Sequence, residues 1–172
     1  MAVVTKLAAA LAQRDGAPSQ TNSNAASTKV ATGRVKESIG TIAVASGDST
    51  GSVLRFFSVH SSWRVSEVLL SNTATTGAAA DIGLYNLPSH NGGAVVDADF
   101  FGSAVSIATA AANTNVTSES GLIAVDKLEQ PLWKLLGLTT DPGLWYDVAA
   151  TLTADATAAG TVALKGRFID GN

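Results

Sequence analysis

The 172-residue chain contains no cysteine, which excludes disulfides, thiolate zinc sites and cysteine nucleophiles. Apolar residues make up 46% and charged residues only 15%, so one ordinary core can form under a surface built mostly from Ser, Thr, Asn, Gly and Ala. Of the net charge of −3, residues 1–36 hold +4 (Lys6, Arg14, Lys29, Arg34 and Lys36 against Asp15), leaving −7 on residues 37–172; so acidic a body repels duplex nucleic acid, and no run reaches the ~20 apolar residues of a membrane-spanning helix.

The first eleven residues place Val4, Leu7, Ala8 and Leu11 on one helical face. The patch Leu7–Ala12 is too short for a secretory h-region, and Lys6 follows Val3-Val4 instead of leading. Arg14–Gly33 is polar, aperiodic and rich in Gly, Pro, Ser and Asn. Such a stretch buries too little apolar surface to offset its chain entropy. Residues 1–34 are therefore expected to form an extended, partly helical arm ahead of a β-domain spanning 35–172.

Ile39–Ala45 reads as the first strand, with Ile42 and Val44 on one face. Two strand-length runs rich in β-branched and aromatic residues follow, Val53–Val59 and Val65–Leu70, broken at His60-Ser61-Ser62. Arg55 lies inside the first run and needs a counter-charge, for which Glu67 on the next strand is the candidate. Ala80–Asn86 alternates, and Ala94–Ile107 reads as two short strands or one interrupted strand. Ala108–Thr117 reads as a polar loop and Gly121–Val125 as a short strand.

Asp126–Gly137 carries Leu128, Leu132, Leu135 and Leu136 at helical spacing and is the one helix expected in the body, starting near Glu129 or Gln130 with Pro131 in its first turn. Trp145–Thr153 and Gly160–Ile169 alternate as a last hairpin. Eight or so short strands, with turn signals every 8–15 residues, predict an all-β sandwich, a jelly roll in its eight-strand form, with one short helix.

Few residues offer chemistry. Asp97 and Asp99, two apart on a strand, would share a face and are the weak candidate for a hard cation; the plainer reading is an acidic sheet edge. His60, Ser61 and Asp81 name a triad only on paper, without a nucleophile elbow. Asn115-Val116-Thr117 fits a glycosylation pattern. Trp63, Trp133 and Trp145 read as core or interface anchors, with carbohydrate stacking as the alternative. No catalytic or cofactor-binding residue emerges, and no cofactor is expected.

The run RVKESIGTIAVASGDSTGSVLRFFSVHSSWRVSEVLLSN, then ADIGLYN, NGGAVVDADFFGSA, and EQPLWKLLGL with DPGLWYDVAATLTA, resembles a family of small tailed-bacteriophage proteins, the head decoration or cement proteins encoded beside the major capsid protein. The resemblance covers Val35 to Phe168. It implies a jelly-roll sandwich seated outside an icosahedral shell, with the major capsid protein and other copies of itself (as dimer or trimer) for partners, and neither nucleic acid nor membrane. It supplies no catalytic residues. In that setting Lys6, Arg14, Lys29, Arg34 and Lys36 are the expected partner contacts. A neck, tail or fibre protein and a carbohydrate-binding or adhesion sandwich are the alternatives.

Overall fold

The computed structural model describes residues 34–128 and 130–170. Residues 1–33, which hold most of the expected arm, including Lys6, Arg14 and Lys29, lie outside the described residues. Eight strands follow in order: β1 (Arg34–Val44), β2 (Val53–His60), β3 (Arg64–Asn72), β4 (Ala79–Asn86), β5 (Val95–Ser106), β6 (Ala111–Asn115), β7 (Trp145–Ala154) and β8 (Gly160–Asp170).

They form two antiparallel four-stranded sheets of order β1-β8-β3-β6 and β2-β7-β4-β5. Successive strands alternate between the sheets, except β4 and β5, which pair directly. Strands one and eight, two and seven, three and six, and four and five are partners. This is the strand order of an eight-stranded jelly roll, as the count and spacing of sequence signals suggested.

The core is the sum of the two inward rows. Val68, Leu70, Leu164 and Phe168 from one sheet meet Leu54, Val59, Ile82, Leu84 and Val148 from the other, all buried. On β1 the inward row runs through Ile42 to Val44, and the outward row through Val35 and Ile39 stays exposed. β1 starts at Arg34, five residues earlier than its apolar alternation announces. Its charged first turns pair with β8 from Arg34 opposite Asp170 onward, and ladder bonds hold them where apolar burial does not.

β5 is a single interrupted strand. Leu84 faces Asp97, yet Ile82 faces Gly102, so extra β5 residues bulge out between two neighbouring β4 positions. The bulge folds over the outward face of its own sheet. A β-carbon on Gly83 would overlap the carbonyl oxygens of Asp97 and Ala98, so only glycine admits this approach. Ala149, beside Gly83 on β7, is fully covered.

Two expectations fail between β5 and β7. Ala108–Thr117 holds β6 instead of a loop, and Gly121–Val125 forms no strand. β6 is an edge strand bonded to β3 alone and largely exposed, so it carries no apolar alternation to read. Gly121 has φ +79°, which breaks an extended run, while Ile123 is buried without any ladder.

The helix expected from near Glu129 or Gln130 to Gly137, with Pro131 in its first turn, is also shorter. A 3-10 turn covers Val125–Lys127, and α1 spans only Leu132–Leu135. Pro131 sits outside α1, extended, as its N-cap. Proline forces its predecessor out of helical conformation and separates the two pieces. The first N–H groups of α1 donate elsewhere, Leu132 to the Trp63 carbonyl at 2.9 Å and Trp133 to that of Ser61 at 3.0 Å. Gly137, at φ +76°, follows the helix end.

Candidate docking surfaces

One pole of the sandwich gathers the start of β1, the β2–β3 turn, α1 and the start of β7. Arg64 bridges to Pro131 and faces Ile169, while Arg34 faces Asp170. β1 therefore begins at the pole that carries Trp63 and Trp145.

There the rings form a chain. Lys36 Nζ stands 5.2 Å over the Trp63 ring, Trp63 meets Trp145 edge-on at 5.2 Å, and Trp145 meets His60 at 5.3 Å. Trp63 is 9% exposed but Trp145 is 44% exposed, so Trp63 is an internal anchor and Trp145 a surface ring. Leu138, also exposed, donates its N–H to the Trp133 carbonyl. The sequence names each tryptophan but gives no sign that residues 63 and 145 touch. The missing link is the β2–β7 register, which sets His60 opposite Trp145.

Of the expected contact residues that are described, Arg34 opens β1. Lys36 forms a 3.4 Å ion pair with Asp170 and keeps 44% of its side chain exposed.

Asp97 and Asp99 do share a neighbourhood. Burial, then a hydrogen bond with Asp99 and its negative charge, hold the Asp97 carboxyl above the ordinary aspartate range. Both line a cleft of about 310 Å³ together with Ser120 and Lys127. No three acidic or histidine side chains cluster as metal ligands among the described residues. Two carboxylates alone fall short of the roughly six to eight oxygens calcium takes.

The paper triad is dispersed. Ser61 donates to Asp141 at 2.5 Å, His60 Nδ1 lies 2.8 Å from the Ser62 hydroxyl, and Asp81 accepts from the Ala104 N–H. Thr117 is likewise committed inward, where its hydroxyl accepts the Val68 N–H at 2.7 Å.

The pairing expected between Arg55 and Glu67 does not form. The two strands belong to opposite sheets. Arg55 instead meets Asp147 at 3.0 Å and donates to the carbonyls of Asn86 and Gly93 at 2.8 and 2.5 Å. Ser58 donates to the second Asp147 oxygen, and Tyr85 lies under the guanidinium. Glu67 pairs with Arg167, which also binds Glu37 at 2.6 Å.

The two outward sheet faces are therefore unlike. That of β2-β7-β4-β5 is sealed by the β5 bulge and by the Arg55 network. That of β1-β8-β3-β6 has no such cover among the described residues and carries Val35 (63% exposed) and Ile39 (69%). Their odd-numbered spacing, opposite in parity to Ile42 and Val44, was the available signal.

The fold and its surfaces define an all-β jelly-roll domain with an aromatic pole and one sheet face that carries the exposed Val35 and Ile39. No family model and no curated protein matches the chain. Among solved structures, a chain in "Capsid of Ralstonia phage GP4" is similar over 81% of this chain and 86% of that one, with a TM-score of 0.59 at 16% identity. A chain in "Cyanophage Pam1 capsid asymmetric unit" aligns over 80% and 86%, with a TM-score of 0.48 at 14% identity.

Proposed function

We propose that this chain is a virion structural protein that decorates and cements the outer surface of a phage capsid. The observation that carries the reading is the shared fold with a chain from a Ralstonia phage GP4 capsid structure. The segments resembling decoration proteins point the same way. In this reading the partners are the major capsid protein and other copies of the chain, without nucleic acid, membrane or cofactor. The protein is made in the host cytoplasm and ends on the shell.

The physical requirements are a rigid body, contact surfaces of low charge, and a strap across subunit seams. The jelly roll supplies the first and the 15% charged composition the second. Residues 1–34 supply the third, rooted beside Trp63 and Trp145. Single contacts need only modest strength, because many copies act together on one lattice. Arm residues Lys6, Arg14 and Lys29, with Arg34 and Lys36 at its root, then meet an acidic neighbour.

The test is surface labelling of intact particles with an antibody to the β-domain, repeated on particles carrying the chain without residues 1–34. Labelling over the whole head, lost on arm deletion, supports the reading. Labelling confined to one vertex assigns the chain to the neck or tail and overturns the decoration role. The exposed Trp145 ring favours a second reading, glycan stacking; binding to a glycan array that Trp145→Ala abolishes would select it.

A further inference from the structure

We infer that β1 is a self-association strand: the β1 strands of two copies meet edge to edge, antiparallel about a two-fold axis centred on Glu37. The inference deepens the reading above, on which its setting in a virion rests, but it is measured on the isolated chain.

Three observations carry it. Among the described residues β1 pairs with β8 alone, so its other edge carries no ladder over its eleven residues, although at Gly40 the strand packs against the β2 backbone at Phe56. A long edge strand without a cover is a template for another strand. The same strand also carries two of the most exposed large apolar side chains of the body, Val35 and Ile39, on a sheet face that no other described element covers. They flank Glu37 symmetrically, two residues to either side and on the same face.

A two-fold pairing centred on Glu37 therefore sets Val35 of each copy opposite Ile39 of the other. The apolar pairs that result are the unit of sheet stabilisation. It also sets the two Glu37 side chains opposite each other, which would ordinarily repel. Here each is already held by two cations, Arg167 at 2.6 Å and Lys165 at 3.5 Å. Arg167 in turn binds Glu67, so the four charges of this face balance. A neutral, internally paired face suits a second copy of itself better than a strongly charged partner. The isologous arrangement closes at two copies and leaves no further edge of this kind open.

The test uses the full chain, which has no native cysteine. Sedimentation is expected to give a species of twice 17.4 kDa, and Ile39→Lys one of a single chain mass with an unchanged circular dichroism spectrum. Under mild oxidation Glu37→Cys is expected to form a covalent dimer, because directly opposed residues in an antiparallel pair lie within disulfide reach. Ser71→Cys, on β3 away from the edge, is expected to stay single. A wild-type chain of single mass at several hundred micromolar, a dimer that survives Ile39→Lys, or equal cross-linking at both cysteines overturns the inference. A monomer that still coats heads would overturn this inference alone and leave the decoration role standing.

Discussion

Arg55 Nη1 lies 3.0 Å from an Asp147 carboxylate oxygen across the β2–β7 ladder, on the outward face of the sheet and not in the core. The same guanidinium holds the carbonyls of Asn86 and Gly93, so one side chain ties the β4–β5 turn to two strands. Asp147 keeps 12% of its side-chain exposure and Arg55 28%. Removing Arg55 would leave a largely covered carboxylate held by the Ser58 hydroxyl. Arg55→Met is expected to cost about 2–3 kcal/mol, read as a lower urea midpoint at unchanged m-value. Glu67→Gln, which touches only the exposed ladder to Arg167, is expected to cost under about 1 kcal/mol.

Gly83 is where the β5 bulge presses on the sheet. Gly83→Ala places a methyl group into the carbonyls of Asp97 and Ala98. Both are backbone atoms, so rotamer change gives no relief. The expected loss is about 3 kcal/mol or more, with the β5 amides from Asp97 to Gly102 losing hydrogen-exchange protection first.

Two carboxylates give opposite pH dependences. Asp97 is raised above 3.8, chiefly by burial and then by Asp99. A carboxyl that holds its proton more tightly when folded contributes stability at low pH, and loses it as pH rises from the ordinary value through the raised one. Glu37 is lowered below 4.5, chiefly by its hydrogen bond from Arg167. Its contribution is present above 4.5 and is lost as pH falls through the lowered value. Thermal melts from pH 3 to 8 are expected to show Asp97→Asn more stable than wild type at neutral pH, with the gap closing in acid. Glu37→Gln is expected to be less stable at neutral pH, its gap also closing in acid.

Trp145 is exposed and backed by rigid rings, so its loss is expected to leave the fold intact. Trp145→Ala is expected to lower retention on heads at least about tenfold, with a melting temperature within a few degrees of wild type. Trp63→Ala, which empties a buried site between Trp145 and Phe168, is expected to unfold at a much lower temperature.

The layer architecture was legible because it rests on local signals. Period-two alternation marks β4, β7 and β8, strand-length runs of β-branched and aromatic residues mark β2 and β3, and Gly, Asn and Asp mark the turns between them. Elements held by ladder bonds alone were not. β6 reads Ala-Ala-Asn-Thr-Asn, which carries no apolar rhythm, and the first turns of β1 are charged. The Leu spacing around Pro131 suggests a longer helix than the residue before a proline allows. Pairings such as Arg55–Asp147 and Trp63–Trp145 depend on which strands share a sheet. Glu67 would face Arg55 only if consecutive strands paired, and among the described strands only β4 and β5 do.

A virion structural role requires that the chain belong to the particle. The most direct measurement is quantitative mass spectrometry of density-purified heads, counting this chain against the major capsid protein. The expected result is hundreds of copies per head, in fixed ratio to the shell and retained through repeated sedimentation. Purified heads that lack the chain, or carry it in amounts that wash away, would contradict it.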